Sequence, residues 1–139
     1  MRNLNRFVEA QASAYSAALA EVKRGRKQSH WMWYVFPQVQ GLGFSSTSQH
    51  YAIQDLAEAT AYLQHPVLGA RLREISAALL QLETSDASRV FGSPDDLKLK
   101  SSMTLFAAVQ ADTVFQAVLD KFFGGAPDGK TLQIIGRQS

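Results

Sequence analysis

Apolar residues in this chain recur at helical spacing, and glycine, proline or serine breaks cut the pattern into short pieces. Tyr15, Ala18, Leu19 and Val22 stand at i, i+3, i+4 and i+7, the stripe of an amphipathic helix. That stripe predicts a helix from about Ser13 to Arg24, preceded by a shorter helical turn around Arg6 to Ala10. Ser45, Ser46, Thr47 and Ser48 are N-cap candidates for a helix holding Tyr51, Ala52, Leu56 and Ala59. It continues or restarts to Leu63 and ends before Pro66. Val67, Leu68, Leu72, Ile75, Leu79, Leu80 and Leu82 mark a helix from about Val67 to Leu82. Ser85 opens a short helix through Val90 and Phe91 that stops at Gly92. Ser93-Pro94-Asp95-Asp96 opens another to about Gln110, with its acids at the positive end of the dipole. Val114, Val118, Leu119, Phe122 and Phe123 predict one more helix, and Thr131 to Ile135 a last turn. Only His30 to Phe44 lacks this period, and it is expected to be extended or irregular, with room for a short strand. The expected fold is mostly α, an orthogonal array of roughly six or seven helices around that aromatic segment.

The length of 139 residues suits one core, so the chain is expected to be a single domain over 1–139. With 46% apolar and 19% charged residues it has the composition of a packed protein rather than a disordered one. There is no cysteine, which excludes disulfides, thiolate metal sites and cysteine nucleophiles. Met1 to Glu9 has no apolar stretch like that of a signal peptide, and no later run reaches membrane-span length. A cytoplasmic location with no membrane association is the expectation. The net charge of +2 is concentrated locally, with Lys23, Arg24, Arg26 and Lys27 flanking Gly25. This run suits the solvated C-terminal turn of a helix better than a nucleic-acid surface.

Two groups of residues have the chemistry of a binding site. His30-Trp31-Met32-Trp33-Tyr34-Val35-Phe36-Pro37-Gln38 sets two tryptophans beside a histidine and a carboxamide. Such a run is either a core wedge or a wedge whose alternate side chains also line a pocket for a planar ligand. On the helix led by Asp95 and Asp96, Lys98, Ser101 and Ser102 share a face beside the Leu99, Met103, Phe106 stripe. There the lysine can meet a phosphate or carboxylate with the serines donating, or it can snorkel beside a solvated serine pair. Asp95 and Asp96 are first of all capping acids, and His65-Pro66 a helix terminator. Tyr51 beside His50 is a further candidate. No metal site is expected, because His30, His50 and His65 lack ligand spacing and neighbouring carboxylates. No phosphate loop or dinucleotide fingerprint appears, so no cofactor is expected.

Long ordered matches then become visible. They are Arg6-Phe7-Val8-Glu9-Ala10-Gln11, Gly25-Arg26-Lys27, Ser29-His30-Trp31-Met32-Trp33, Phe36-Pro37-Gln38 and Tyr51-Ala52-Ile53. Tyr62-Leu63, His65-Pro66-Val67-Leu68-Gly69, Phe91-Gly92 with Asp96 and Lys98, and Ser101-Ser102-Met103-Thr104-Leu105-Phe106 complete them. On these residues the chain closely resembles the bacterial family called domain of unknown function 1810, over nearly its whole length. That resemblance implies a fold and no known activity. The calpastatin label sometimes given to members conflicts with the packed composition, because calpastatin-type inhibitors are disordered repeats.

More remotely, the aromatic segment, Thr47-Ser48-Gln49-His50-Tyr51 and the helix with Lys98 and Met103 resemble the NADAR/YbiA-like N-glycosidase family, associated with ADP-ribose-type N-glycosides. The resemblance implies stacking by Trp31 or Trp33, phosphate or ribose binding by Lys98, and a carboxylate that activates water. Gln49 stands where that family commonly has a glutamate, and a carboxamide cannot act as a general base; Asp95 or Asp96 would have to supply the carboxylate.

Two functions follow as expectations. One is a binding module for a nucleotide-like or anionic small molecule, or for a protein partner, built on His30, Trp31, Trp33, Gln38, Tyr51, Lys98, Ser101 and Ser102. The other is an N-glycosidase-like hydrolase.

Overall fold

The computed structural model describes residues 4–110 and 113–138. They form nine helical segments: α1 Asn5–Lys23, α2 Met32–Val35, α3 Ser46–His50, α4 Leu56–Gln64, α5 Leu68–Leu80, α6 Ala87–Phe91, α7 Asp95–Val109, α8 Val114–Phe123 and α9 Gly129–Gln138. Among the described residues the only β pairing is an isolated parallel bridge between Val39 and Ile53, so the mostly α expectation holds.

Helix α1 runs unbroken where the sequence suggested a short turn and then a helix, because Phe7 and Gln11 extend the buried face of Tyr15, Ala18 and Val22. It ends as the basic run predicted. Gly25 takes φ +80°, Arg26 N–H donates to Glu21 O at 3.0 Å, and Gly25 N–H donates to Val22 O at 2.9 Å. That pair of bonds is a Schellman stop. Lys27 departs from expectation: its ammonium lies 3.0 Å from Asp95 with the side chain nearly buried, so the run is not solvated throughout.

The aromatic segment is a helical turn rather than a strand. Over Met32–Val35 the turn sends Trp31, Met32, Val35 and Phe36 inward, while Trp33 and Tyr34 stay part-exposed. Trp31 and Phe36 pack with Phe91 of α6, at ring-centroid distances of 6.3 and 5.9 Å. The chain then leaves the core as the two-bond bridge, with Ile53 N–H to Gln38 O and Gln40 N–H to Ile53 O both at 2.8 Å.

Of the two expectations for Ser45 to Leu63, a continuous helix or a restart, the restart holds: α3 and α4 are separate. Ser45 caps α3 through Ser48 N–H at 3.1 Å. Ala52 and Ile53 are then diverted to the bridge, and Asp55 caps the restart by accepting from Glu58 N–H at 2.9 Å. At the α4–α5 corner Gly69 is required, since a Cβ there would lie 2.1 Å from Leu63 O. His65 ends α4 and also starts α5, its Nδ1 accepting from Val67 N–H and Leu68 N–H at 3.1 and 3.2 Å. The cap of α6 is Asp86, not Ser85: its carboxylate accepts from Ser88 N–H and Arg89 N–H.

Helix α7 is the axis of the fold, packed against α4, α6, α8 and α9. Six consecutive residues, Ser101 through Phe106, are therefore buried, whereas a one-sided stripe was expected, with the serines turned to a ligand or to solvent. An amphipathic pattern reports burial on one side only, and a helix enclosed by four neighbours escapes it. Leu97, before the enclosed stretch, remains 58% exposed.

Glu21 organises the α1–α2 connection. Its carboxylate accepts from Gln28 N–H at 2.6 Å, Ser29 N–H at 2.9 Å, the Ser29 hydroxyl, and Trp31 Nε1–H at 2.9 Å. Burial alone would raise its pKa, but these four donors outweigh burial and hold it at about 2. A folded-state value below the ordinary carboxylate value gives stability that is present above that ordinary value and lost as pH falls toward about 2. Glu21→Gln is expected to lower Tm by several degrees at neutral pH. In thermal melts from pH 7 down to about pH 2.5, its deficit against the natural chain is expected to shrink steadily, because the natural chain loses the same bonds on protonation.

Candidate functional site

A cleft of about 660 Å³ opens beside the Val39–Ile53 bridge, within the size range of small-molecule sites. Three parts of the chain line it. The aromatic segment and the bridge residues after it give Trp33, Gln38, Val39, Gln40 and Gly41; the α3 region gives Gly43, Phe44, Ser48, Gln49, Tyr51 and Ala52; helix α9 gives Lys130, Ile134 and Arg137. Lys130, Ile134 and Arg137 stand at i, i+4 and i+7, hence on one face of α9. Gly43 is packed so tightly that a Cβ would meet Ser48 Cβ at 2.6 Å, and a Cβ on Gly41 would touch Ile134 at 3.4 Å. These two glycines let the Gly41–Phe44 loop lie close to α3 and α9.

The wall made by Tyr51 and Ala52 is held from behind. Arg6 of α1 donates to His50 O at 2.8 Å through Nε and to Ala52 O at 2.9 Å through Nη2. It also forks onto the carboxylate of Glu58 at 3.3 and 3.4 Å, and that fully buried carboxylate accepts Gln54 N–H at 2.6 Å. Tyr51 packs on Tyr34 and Phe7 at 5.2 and 5.9 Å.

Of the residues singled out in the sequence, Trp33, Gln38 and Tyr51 line the cleft. Trp31 does not: it is 1% exposed, and its indole N–H is committed to Glu21. His30 is exposed outside the lining, its carbonyl accepting from the Tyr34 hydroxyl at 3.2 Å. Lys98 is not among the lining residues, and its ammonium lies 4.9 Å from the Trp33 ring and 3.1 Å from Asp95. Asp95 pairs with both Lys27 and Lys98; burial alone would raise its pKa, and these two cations lower it. Asp96 accepts from Leu97 N–H at 2.9 Å. Ser101 is buried and joins Gln38 at 3.1 Å. Ser102 is fully buried, and its hydroxyl has no hydrogen-bond partner among the described residues.

Sequence reasoning missed Lys130 and Arg137. Their spacing with Ile134 was the available signal, but a last turn limited to Thr131–Ile135 leaves both outside it. Arg6 and Glu58 gave no signal, because their fork is made across 52 residues of chain. Among the described residues no group of three or more acidic or histidine side chains is arranged to hold a metal ion, and no helix is long and apolar enough to cross a membrane.

Removing one partner of a buried ion pair leaves the other charge uncompensated, at a cost of about 3–5 kcal/mol. Glu58→Ala is therefore expected to lower Tm by roughly 10 °C or more in a thermal melt. Arg6→Lys, which cannot fork to two carbonyls and a carboxylate together, is expected to fall between it and the natural chain.

The chain matches the model of a family described as protein of unknown function (DUF1810) over residues 1–135. A similar solved structure is that of the conserved hypothetical protein Rv1873 from Mycobacterium tuberculosis. It is 48% identical, has a TM-score of 0.93 and is matched over 96% of each chain. No curated protein matches. The matched span holds the core and every residue of the cleft lining except Arg137, and the chain belongs to the DUF1810 family.

Proposed function

We propose that the cleft binds a small anionic ligand with a planar ring, of nucleotide type, without transforming it. The observation that carries this reading is the composition of the lining: aromatic faces at Trp33 and Tyr51, cations at Lys130 and Arg137, and no carboxylate among the described residues that line it. Neither cation is ion-paired among the described residues. Rings stack on planar ligands, and unpaired cations at a concave surface attract phosphate or carboxylate. Hydrolysis of an N-glycoside needs a carboxylate to activate water. Gln49 occupies the wall, Asp95 is held by two lysines, and Asp96 is outside the lining, accepting from Leu97 N–H. Those facts favour binding over the hydrolase reading.

The two tryptophans make the test specific, since Trp31 is sealed in the core and Trp33 faces the cleft. NAD, ADP-ribose, nucleotides and simple phosphates are titrated against intrinsic fluorescence and Tm. A ligand at 100 times its Kd is expected to raise stability by about 2.7 kcal/mol, or several degrees. Quenching by the ligand is expected to vanish in Trp33→Phe, and affinity to drop about tenfold or more in Arg137→Ala, as for a lost charge-assisted hydrogen bond. Absence of quench and shift across the panel overturns the reading and leaves the face around exposed Phe44 to a protein partner. Release of a free base from an ADP-ribosylated compound would restore the hydrolase.

A further inference from the structure

A run of polar groups leads inward from the cleft wall, with its two middle members, Ser101 and Thr131, buried. Gln38 Nε2 lies 3.1 Å from Ser101 Oγ, Ser101 Oγ lies 3.2 Å from Thr131 Oγ1, and Thr131 Oγ1 lies 2.6 Å from Asp128 Oδ2. Ser101 is 2% exposed and Thr131 fully buried, so each hydroxyl proton must be spent inside the protein.

The protons have one consistent arrangement. Asp128 Oδ2 already accepts Thr131 N–H at 3.0 Å, so it acts as an acceptor, and the closest hydroxyl aimed at it is that of Thr131. Thr131 spends its only proton there. Its oxygen then accepts from Ser101, which spends its own proton in turn, so Ser101 can only accept from Gln38. A reversed amide would set two acceptors, Gln38 Oε1 and Thr131 Oγ1, against one serine proton. The carboxylate at one end therefore fixes the direction of every bond up to the cleft.

Resting on the ligand reading above, we infer that Gln38 presents its carbonyl oxygen to the cleft as a fixed hydrogen-bond acceptor, so that the bound ring must carry an amino or amide N–H. Among the described residues no donor reaches Gln38 Oε1, while Gln38 lines the cleft beside Trp33. A site built around one fixed acceptor discriminates strongly against an analogue that lacks the donor, because the acceptor is then left unpaired. Ser101, Thr131 and Asp128 are positioning residues for this preference, and Gln38 is the residue that reads the ligand.

The direction of the chain is tested without a ligand. In side-chain amide NMR of Gln38, slow exchange of one Nε2 proton is expected, and it is expected to be lost in Ser101→Ala; fast exchange of both in the natural chain overturns the inference. The preference is tested with AMP against purine riboside 5′-monophosphate, the same molecule without its amino group. AMP is expected to bind about tenfold or more tighter, with the ratio falling to within about twofold in Ser101→Ala. If Ser101→Ala does not fold, Gln38→Met at the cleft wall is expected to erase the ratio equally. Equal binding of both nucleotides to the natural chain overturns the preference and leaves the nucleotide reading standing. Binding of neither, with other panel ligands also silent, removes that reading and the preference with it.

Discussion

The guanidinium of Arg6, forked between Glu58 and the carbonyls of His50 and Ala52, is the contact on which the functional side of this fold depends. Residues 51–55 are neither helix nor extended sheet, so their polar backbone groups need partners from elsewhere. Arg6 supplies donors and Glu58 an acceptor, and the two satisfy each other. An arginine fits this position because its planar fork reaches several acceptors at once while keeping its charge. Without that anchor, Tyr51 still packs on Phe7 of α1, but the carbonyls of His50 and Ala52 lose the donors that hold the cleft wall against α1.

A second constraint comes from the middle of the molecule. Helix α7 is enclosed by α4, α6, α8 and α9, and two of its buried polar side chains, Ser101 and Thr104, find partners at the start of α9. Thr104 receives Asp128 N–H at 2.9 Å and donates to Lys100 O at 2.8 Å, and Ser101 meets Thr131. The polar positions of α7 thus dock α9 at its first turn. That docking swings Lys130, Ile134 and Arg137 over the Gly41 loop. The lining of the cleft and the burial of two α7 polar residues are consequences of one packing arrangement.

Lys98 illustrates how burial reassigns a residue. Its spacing with Ser101 and Ser102 suits an anion site, and in the fold it lies between Asp95 and the back of Trp33. Its charge is already balanced locally, and its contact with the indole is with the ring that lines the cleft. Trp31 and Trp33 divide in the same manner. A helical turn, rather than a strand, places one ring against Phe36 and Phe91 and leaves the other at the cleft.

The mostly helical class, the stop at Gly25, the corner at His65-Pro66 and the cap at Ser45 were legible in the residues, because each rests on local backbone geometry or on a period of a few residues. Trp33, Gln38 and Tyr51, which line the cleft, stood among the candidates because aromatic and amide side chains beside a histidine are conspicuous. The continuity of α1, the choice between a continuous and a restarted helix after Ser45, the burial of Ser101 and Ser102, and the arrival of Lys130 and Arg137 at the cleft were not legible. Each depends on contacts between segments distant in the chain, and no local period carries them. The sequence determined which segments are helices and where they stop; only the tertiary structure decided which polar side chains lose water, and therefore which of them must bond to one another and which remain for a ligand.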